Sequence, residues 1–271
     1  MMARHKLPAM QLPTGPHRVS SALNLLALDT STERLALALQ APGGPWTVLA
    51  EGGALASATL LPQVHALMAR AGLQMTDLDA IAFGRGPGAF TGLRTACAVA
   101  QGLAFGLGKP VLAIDSLLIV AEDARLQRFA SAETLDIAVA MDARMGEAYA
   151  GRYRWAQGAW HTLQAPGLYA LPALAQVWAD APDAPAGTGV QAIAGSALAA
   201  FGERVAWPAG ALHVAQEHDR ASALLNLAAQ AVQAGLGVDA ALALPLYLRD
   251  KVAQTTQERD AARAAALAAT P

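Results

Sequence analysis

The sequence predicts an α/β fold built from two halves that repeat one order of strands and helices. Two observations carry this prediction. The segments ALDTSTERLALAL (27–39) and AMDARMGEAYAGRY (140–153) share a pattern: an apolar strand, an aspartate at its end, a tight turn, and an alternating second strand. In both halves this hairpin is followed by strand-like and helical stretches in the same order.

In the first half, residues 24–29 read as a buried strand ending at Asp29. Thr30–Glu33 make a turn, and Arg34–Gln40 alternate as a second strand. Trp46–Glu51 follow as a third, after the breaker APGGP. From Ser57 to Ala71, the residues Leu60, Leu61, Val64, Leu67 and Met68 recur at helical spacing, and Gly72 stops the helix. Asp79–Phe83 is a short strand. The loop Gly84–Gly88, a helix at Phe90–Leu107 and a strand at Pro110–Asp115 complete the half. The second half runs as a strand at Leu135–Met141 ending in Asp142, a turn, and strands at Glu147–Trp155 and Ala159–Gln164. A helix at Pro172–Ala179, a strand at Val190–Ala194 and a short helix after Gly195-Ser196 come next. Ala221–Ala234 is a further helix, and Pro245–Arg249 is extended. Two βββαβα halves, each with an aspartate closing its first strand, describe the duplicated actin-like (ASKHA, ribonuclease H-like) fold. The expected division is an N-terminal subdomain at 23–120, completed by helix 221–235, and a C-terminal subdomain at 121–220. Residues 236–271 form an extended segment and tail. Residues 1–22 lack the apolar stretch of a secretory signal and are expected to be a disordered, dispensable extension.

Composition narrows the function. The chain is 54% hydrophobic over 271 residues, ample for a large core, yet no apolar run reaches the roughly 18 residues of a membrane helix. Net charge is −2, with 16 Arg and 3 Lys balanced by acids, so the basic stripe of a self-sufficient nucleic-acid binder is not expected. The one cysteine, Cys97, excludes an internal disulfide and a cysteine-based zinc site, which fits a reducing, cytoplasmic location. Cys97 is expected to be a small buried residue. The six histidines form no His-x-x-x-His pair, there is no Gly-x-Ser-x-Gly elbow, and His65 is expected to be a partly buried packing residue.

Three features carry chemistry. Asp29-Thr30 opens a strand-turn-strand that in actin-like ATPases wraps phosphate while the acid holds metal-bound water. The same residues also suit a plain Asx or ST turn, and Asp142 has the same ambiguity. The loop GRGPGAFTGLR (84–94) sits between a strand and a helix. Arg85, Gly86, Gly88 and Thr91 there suit an anion at a helix N-terminus, or a tight turn that packs the helix. Gly84-x-Gly86-x-x-Ala89, with Asp115 further on, also meets the formal dinucleotide pattern, although Pro87 removes one N–H donor. In the helix that follows, Gly92, Ala96, Ala100 and Ala104 are spaced by four and form one stripe. Such a stripe suits close approach of another helix, from this domain or from a partner.

The segments LLALDTST (25–32), GRGPGAFTGLR (84–94), MDARMGEAYA (141–150) and PLYLRD (245–250) resemble the TsaB (YeaZ) family. This family is the bacterial subunit of the machinery that makes threonylcarbamoyladenosine in tRNA. The resemblance covers about residues 24–250. It implies an actin-like fold without catalytic or metal residues of its own. It also implies pairing with the catalytic subunit TsaD, an ATPase, TsaE, joining the complex, and tRNA reached through that complex. The complex moves threonylcarbamoyl from its adenylate to N6 of the adenosine next to the anticodon, in tRNAs reading codons that begin with A. No cofactor is expected on the isolated chain, ATP or ADP with Mg being a matter for the complex. The docking surface is expected on helices 57–71 and 90–107, through Leu60, Leu61, Val64, Leu67, Met68, Gly92, Ala96, Ala100 and Ala104. A second copy is expected to take that surface when the partner is absent. Asp29, Thr30, Arg85, Gly86, Gly88, Thr91 and Asp142 form the expected vestigial or interfacial nucleotide site. Two rivals are a free-standing nucleotide-binding enzyme, actin-like kinase or dinucleotide-dependent, using Gly84–Ala89, and a zinc endopeptidase.

Overall fold

The computed structural model of the chain describes residues 23–178 and 189–249. The expected extension at 1–22 and the tail beyond 249 lie outside the described residues.

Strands β1 (Leu25–Asp29), β2 (Arg34–Ala41), β3 (Gly44–Glu51), β4 (Ala80–Gly86) and β5 (Val111–Asp115) form one sheet in the order β3-β2-β1-β4-β5. Strands β6 (Thr134–Asp142), β7 (Glu147–Ala156), β8 (Ala159–Ala170), β9 (Ala192–Ala194) and β10 (Leu212–Val214) form the second, in the order β8-β7-β6-β9-β10. Each half thus has two antiparallel hairpin partners on one side of its first strand and two parallel strands on the other. The fold is a duplicated actin-like α/β fold.

All five residues of β1 are buried, as a central strand requires. Leu26 and Leu28 face a layer made by α1 (Ala56–Arg70) and α2 (Phe90–Leu107), while Leu25 and Ala27 face α6 (Arg220–Gln233). The period of two along the strand splits its side chains between these layers. α6, late in the chain, therefore covers the first sheet. In return α3 (Ser116–Arg128) packs its Leu117, Val120, Ala121 and Ala124 on the second sheet, across the boundary expected at residue 120. The far face of that sheet carries α4 (Ala175–Trp178) and α5 (Ala197–Phe201).

Two elements have no counterpart in the sequence expectation, α3 and β10. α3 is wedged between the second sheet and α6, so it buries Glu122, Asp123 and Arg125 along with its apolar residues. Glu122 accepts from Arg125 and from Trp160 Nε1, and Asp123 accepts the backbone N–H groups of His218 and Asp219. Buried charges of this kind erase an apolar period. β10 is three residues long, two of them exposed, and offers no alternation to read. β8 runs six residues further than expected, through Pro166; it is an edge strand, where proline costs no ladder bond. His65 is exposed on α1, because the sheet-facing side of that helix is filled by Leu60, Val64, Leu67 and Met68. This corrects its expected packing role.

Candidate functional site

Asp29 lies at the end of β1, where the first residue of α6 reaches it. Its side chain, fully buried, closes β1 as an Asx turn: Oδ1 accepts from the backbone N–H of Ser31 and from Ser31 Oγ, both at 2.8 Å. The rest of the carboxylate faces a guanidinium. Arg220, the first residue of α6, donates from Nε to Oδ1 at 3.3 Å and from Nη2 to Oδ2 at 3.5 Å. Its Nη2 also reaches Ser31 Oγ at 2.9 Å and the Ser116 carbonyl at 3.4 Å, and Nη1 pairs with Glu217. Burial alone would ease the proton off this guanidinium, but Asp29 and Glu217 more than reverse that and raise its pKa. The acid that would hold a metal-bound water in an actin-like ATPase is thus neutralised from within the chain.

The glycine loop is explained in the same neighbourhood. A Cβ on Gly84 would lie 1.6 Å from Asp29 Oδ2, one on Gly88 would lie 2.5 Å from the Ser31 carbonyl oxygen, and one on Gly92 would lie 1.7 Å from that of Thr30. These absent side chains let the loop and α2 lie directly on the Thr30–Ser31 turn. Ala89 N–H donates to the Ser31 carbonyl at 2.8 Å, Thr30 Oγ1 to the Gly92 carbonyl at 2.7 Å, and Gly86 N–H to Ser116 Oγ at 2.9 Å. Gly86 has φ +110°, where an L side chain is strained. Loop and turn spend these polar groups on each other. The packing role of the glycines, one of the two open alternatives, is therefore present in the structure.

Arg85 does not join this cluster. It sits at the register shift between Gly84 and Gly86 and lines a cavity with Asp115. Thr91 is exposed in the first turn of α2. Asp142 mirrors Asp29 only in part: Oδ1 accepts from Arg144 N–H at 2.8 Å in a turn whose Arg144, Met145 and Gly146 all have positive φ. Its flanking cation, Arg144, is largely exposed. Asp115, the formal ribose-binding acid, caps α3 through Leu117 N–H at 2.9 Å and accepts the Tyr153 hydroxyl at 2.7 Å. Burial pushes its carboxyl above the ordinary carboxylate value, against the pull of those hydrogen bonds and of Arg85. Cys97 is buried, bonds the Ala243 carbonyl, and has its thiol pKa raised by burial, the opposite of an activated nucleophile.

The small-residue stripe is a correction. Gly92, Ala96, Ala100 and Ala104 are buried within their own subdomain, as are Leu60, Val64, Leu67 and Met68. The stripe brings α2 close to its own sheet. Of the nine residues expected at the surface, Leu61 alone is exposed there, at 41%. The outward face of α2 is Thr91, Arg94, Ala98, Gly102 and Phe105, with Phe105 82% exposed. Sequence reasoning also missed Arg220. A signal was present: a cation in the first turn of a helix opposes the helix dipole and needs an anion nearby. Here that anion comes from 191 residues away.

Known proteins match this geometry. A structure of YeaZ from Pseudomonas aeruginosa superposes with a TM-score of 0.70 at 39% identity, over 83% of this chain and 100% of that one. The chain belongs to the TsaB (YeaZ) family. A second P. aeruginosa structure, of an uncharacterized protein with similarity to peptidase YEAZ, gives 0.71 at 38% identity, over 84% of this chain and all of the other. Residues 55–257 match the wider family described as TsaD: tRNA N6-adenosine threonylcarbamoyltransferase. The tRNA threonylcarbamoyladenosine biosynthesis protein TsaB of Haemophilus influenzae is 41% identical over 47% of this chain, and that of Escherichia coli is 37% identical over 51%. These matches span 52% and 59% of the two relatives' lengths. Among the described residues, no helix is long and apolar enough to cross a membrane, and no three His, Cys, Asp or Glu side chains cluster to hold a metal.

Proposed function

We propose that this chain is the non-catalytic scaffold subunit of the cytoplasmic complex that forms threonylcarbamoyladenosine in tRNA. It pairs with the catalytic subunit TsaD, TsaE joins them, and tRNA is reached through the assembly. ATP or ADP with Mg enters at the complex rather than on the isolated chain. The observation that carries this reading is the Asp29–Arg220 pair. An acid fully buried against its own guanidinium is engaged in structure, and the glycine loop beside it is spent on the same turn. Family membership supports the tRNA role. The dinucleotide rival loses its acid to the cap of α3 and its loop to the Thr30–Ser31 turn.

The docking surface proposed here is the outward side of α1 and α2, with Leu55 just before α1: Leu55, Leu61, Ala98, Gly102 and Phe105. These residues are apolar or small, and a Cβ on Gly102 would meet nothing within 4 Å, so another helix can lie against it. Reconstituted tRNA modification tests the function. With TsaD, TsaE, the adenylate and tRNA present, product is expected to fall to background when this chain is omitted. Full product without it, or product from this chain alone, overturns the scaffold reading. Calorimetry of the isolated chain with ATP and NAD is expected to show no binding as tight as about 1 μM, roughly −8 kcal/mol.

A further inference from the structure

A cavity of about 410 Å³ opens at the edge of the first sheet, where β5 and the second half of α6 meet the β7–β8 turn. Its wall is mainly apolar, formed by Leu112, Ile114, Leu227 and Ala231, with Trp160 on one side. The indole is held firmly. Its Nε1 donates to buried Glu122 at 2.9 Å, and its ring stands edge-on to Trp155 with centroids 5.4 Å apart. It presents a fixed flat surface.

Two charged side chains line the same space, Arg85 and Asp115. Asp115 is engaged: it caps α3 and accepts the Tyr153 hydroxyl. Arg85 is different. Its Nε is buried without a hydrogen-bond partner, and among the described residues no carboxylate lies within ion-pair distance of its guanidinium, although Asp115 is near enough to feel its charge. A mainly apolar cavity with a guanidinium on its wall has the composition of a small-molecule site.

We propose that this cavity binds a small monocarboxylate with a flat apolar body. The carboxylate sits on the Arg85 guanidinium, and the body lies between Trp160 and the Leu112–Ala231 wall. A guanidinium matches a carboxylate in fork geometry. A single negative charge is specified because Asp115 lies on the same wall: a phosphate dianion would set its second charge against that acid without a second cation to meet it. The cavity shares no lining residue with the Asp29 cluster: Asp29, Ser31, Ser116 and Arg220 all lie outside it. It does not rest on the role in tRNA modification.

Calorimetric titration of the full chain with 1-naphthoate and with its uncharged analogue 1-naphthalenemethanol tests this. The acid is expected to bind one to one, with Kd below about 1 mM and at least about tenfold tighter than the alcohol. In Arg85→Gln, acid affinity should drop to that of the alcohol, with the alcohol unmoved. In Ala231→Trp, which fills the cavity, both ligands should lose binding. Equal binding of acid and alcohol, no heat from the acid at about 1 mM, or unchanged acid binding in either folded variant overturns the proposal. Should Arg85→Gln fail to fold, the acid-to-alcohol ratio on the wild-type chain and the Ala231→Trp variant decide the matter.

Discussion

Replacing Arg220 with Met keeps the length of the side chain and removes its charge, leaving Asp29 buried without a cation. Breaking one side of a buried pair costs about 3–5 kcal/mol. The geometry selects the lower end. The two contacts to Asp29 are long, at 3.3 and 3.5 Å, and Asp29 keeps its two 2.8 Å bonds from Ser31. Glu217 is left at the rim, 20% exposed, where water can solvate it. The expected loss is therefore about 3 kcal/mol, a large share of a typical domain's 5–15. In a melt this corresponds to a drop of about 6–12 °C for a chain of this size. Asp29→Asn should be destabilising too, and the double variant Asp29→Asn, Arg220→Met should recover most of the loss, because neither charge is then orphaned. Urea unfolding of the four proteins measures the coupling. Activity decides the role. In reconstituted modification, Asp29→Asn should keep most of its activity per folded molecule. A loss of about 100-fold, or about 2.7 kcal/mol of transition-state stabilisation, with stability near wild type would refute the reasoning and make Asp29 a chemical group.

Packing and burial elsewhere in the chain give further expected outcomes. Gly92→Ala should destabilise by about 1–3 kcal/mol, because its Cβ would meet the Thr30 carbonyl oxygen at 1.7 Å. Gly106→Ala in the same helix meets nothing within 4 Å and should stabilise by about 0.5–1 kcal/mol; urea midpoints in the opposite order would contradict both. Ala100→Arg should unfold or strongly destabilise the isolated chain, since Ala100 is buried on its own sheet. Phe105→Glu should leave stability within about 0.5 kcal/mol and weaken complex formation about tenfold, read by melting and pull-down; normal binding would move the interface elsewhere. Asp115 predicts a pH effect. Its folded-state carboxyl is raised, so its contribution to stability is present below the unfolded value of about 3.9 and is lost as pH rises through the higher folded value. The stability of wild type relative to Asp115→Asn should fall as pH rises from about 4, and a flat difference would remove Asp115 as the cause.

Much of this protein follows from sequence through local physics. The period of two in ALDTSTERLALAL and its echo at 140–153 specify hairpins, and the period in Leu60, Val64, Leu67 and Met68 specifies a helix, because burial on one side is a local demand on spacing. The glycines of the 84–92 loop mark close backbone approach, since nothing else tolerates it. What approaches is a different question, and only the tertiary structure answers it. Spacing by four places Gly92, Ala96, Ala100 and Ala104 on one face of α2. It does not say whether that face meets its own sheet or a partner, because both impose the same spacing. The sheet took it, and the exposed face passed to Ala98, Gly102 and Phe105. The fate of Asp29 was equally beyond local reading. An Asx turn at a strand end looks the same whether it awaits a metal or an arginine. The cation arrives on α6 because that helix folds back across the first sheet, a long-range packing decision that no neighbouring residue encodes.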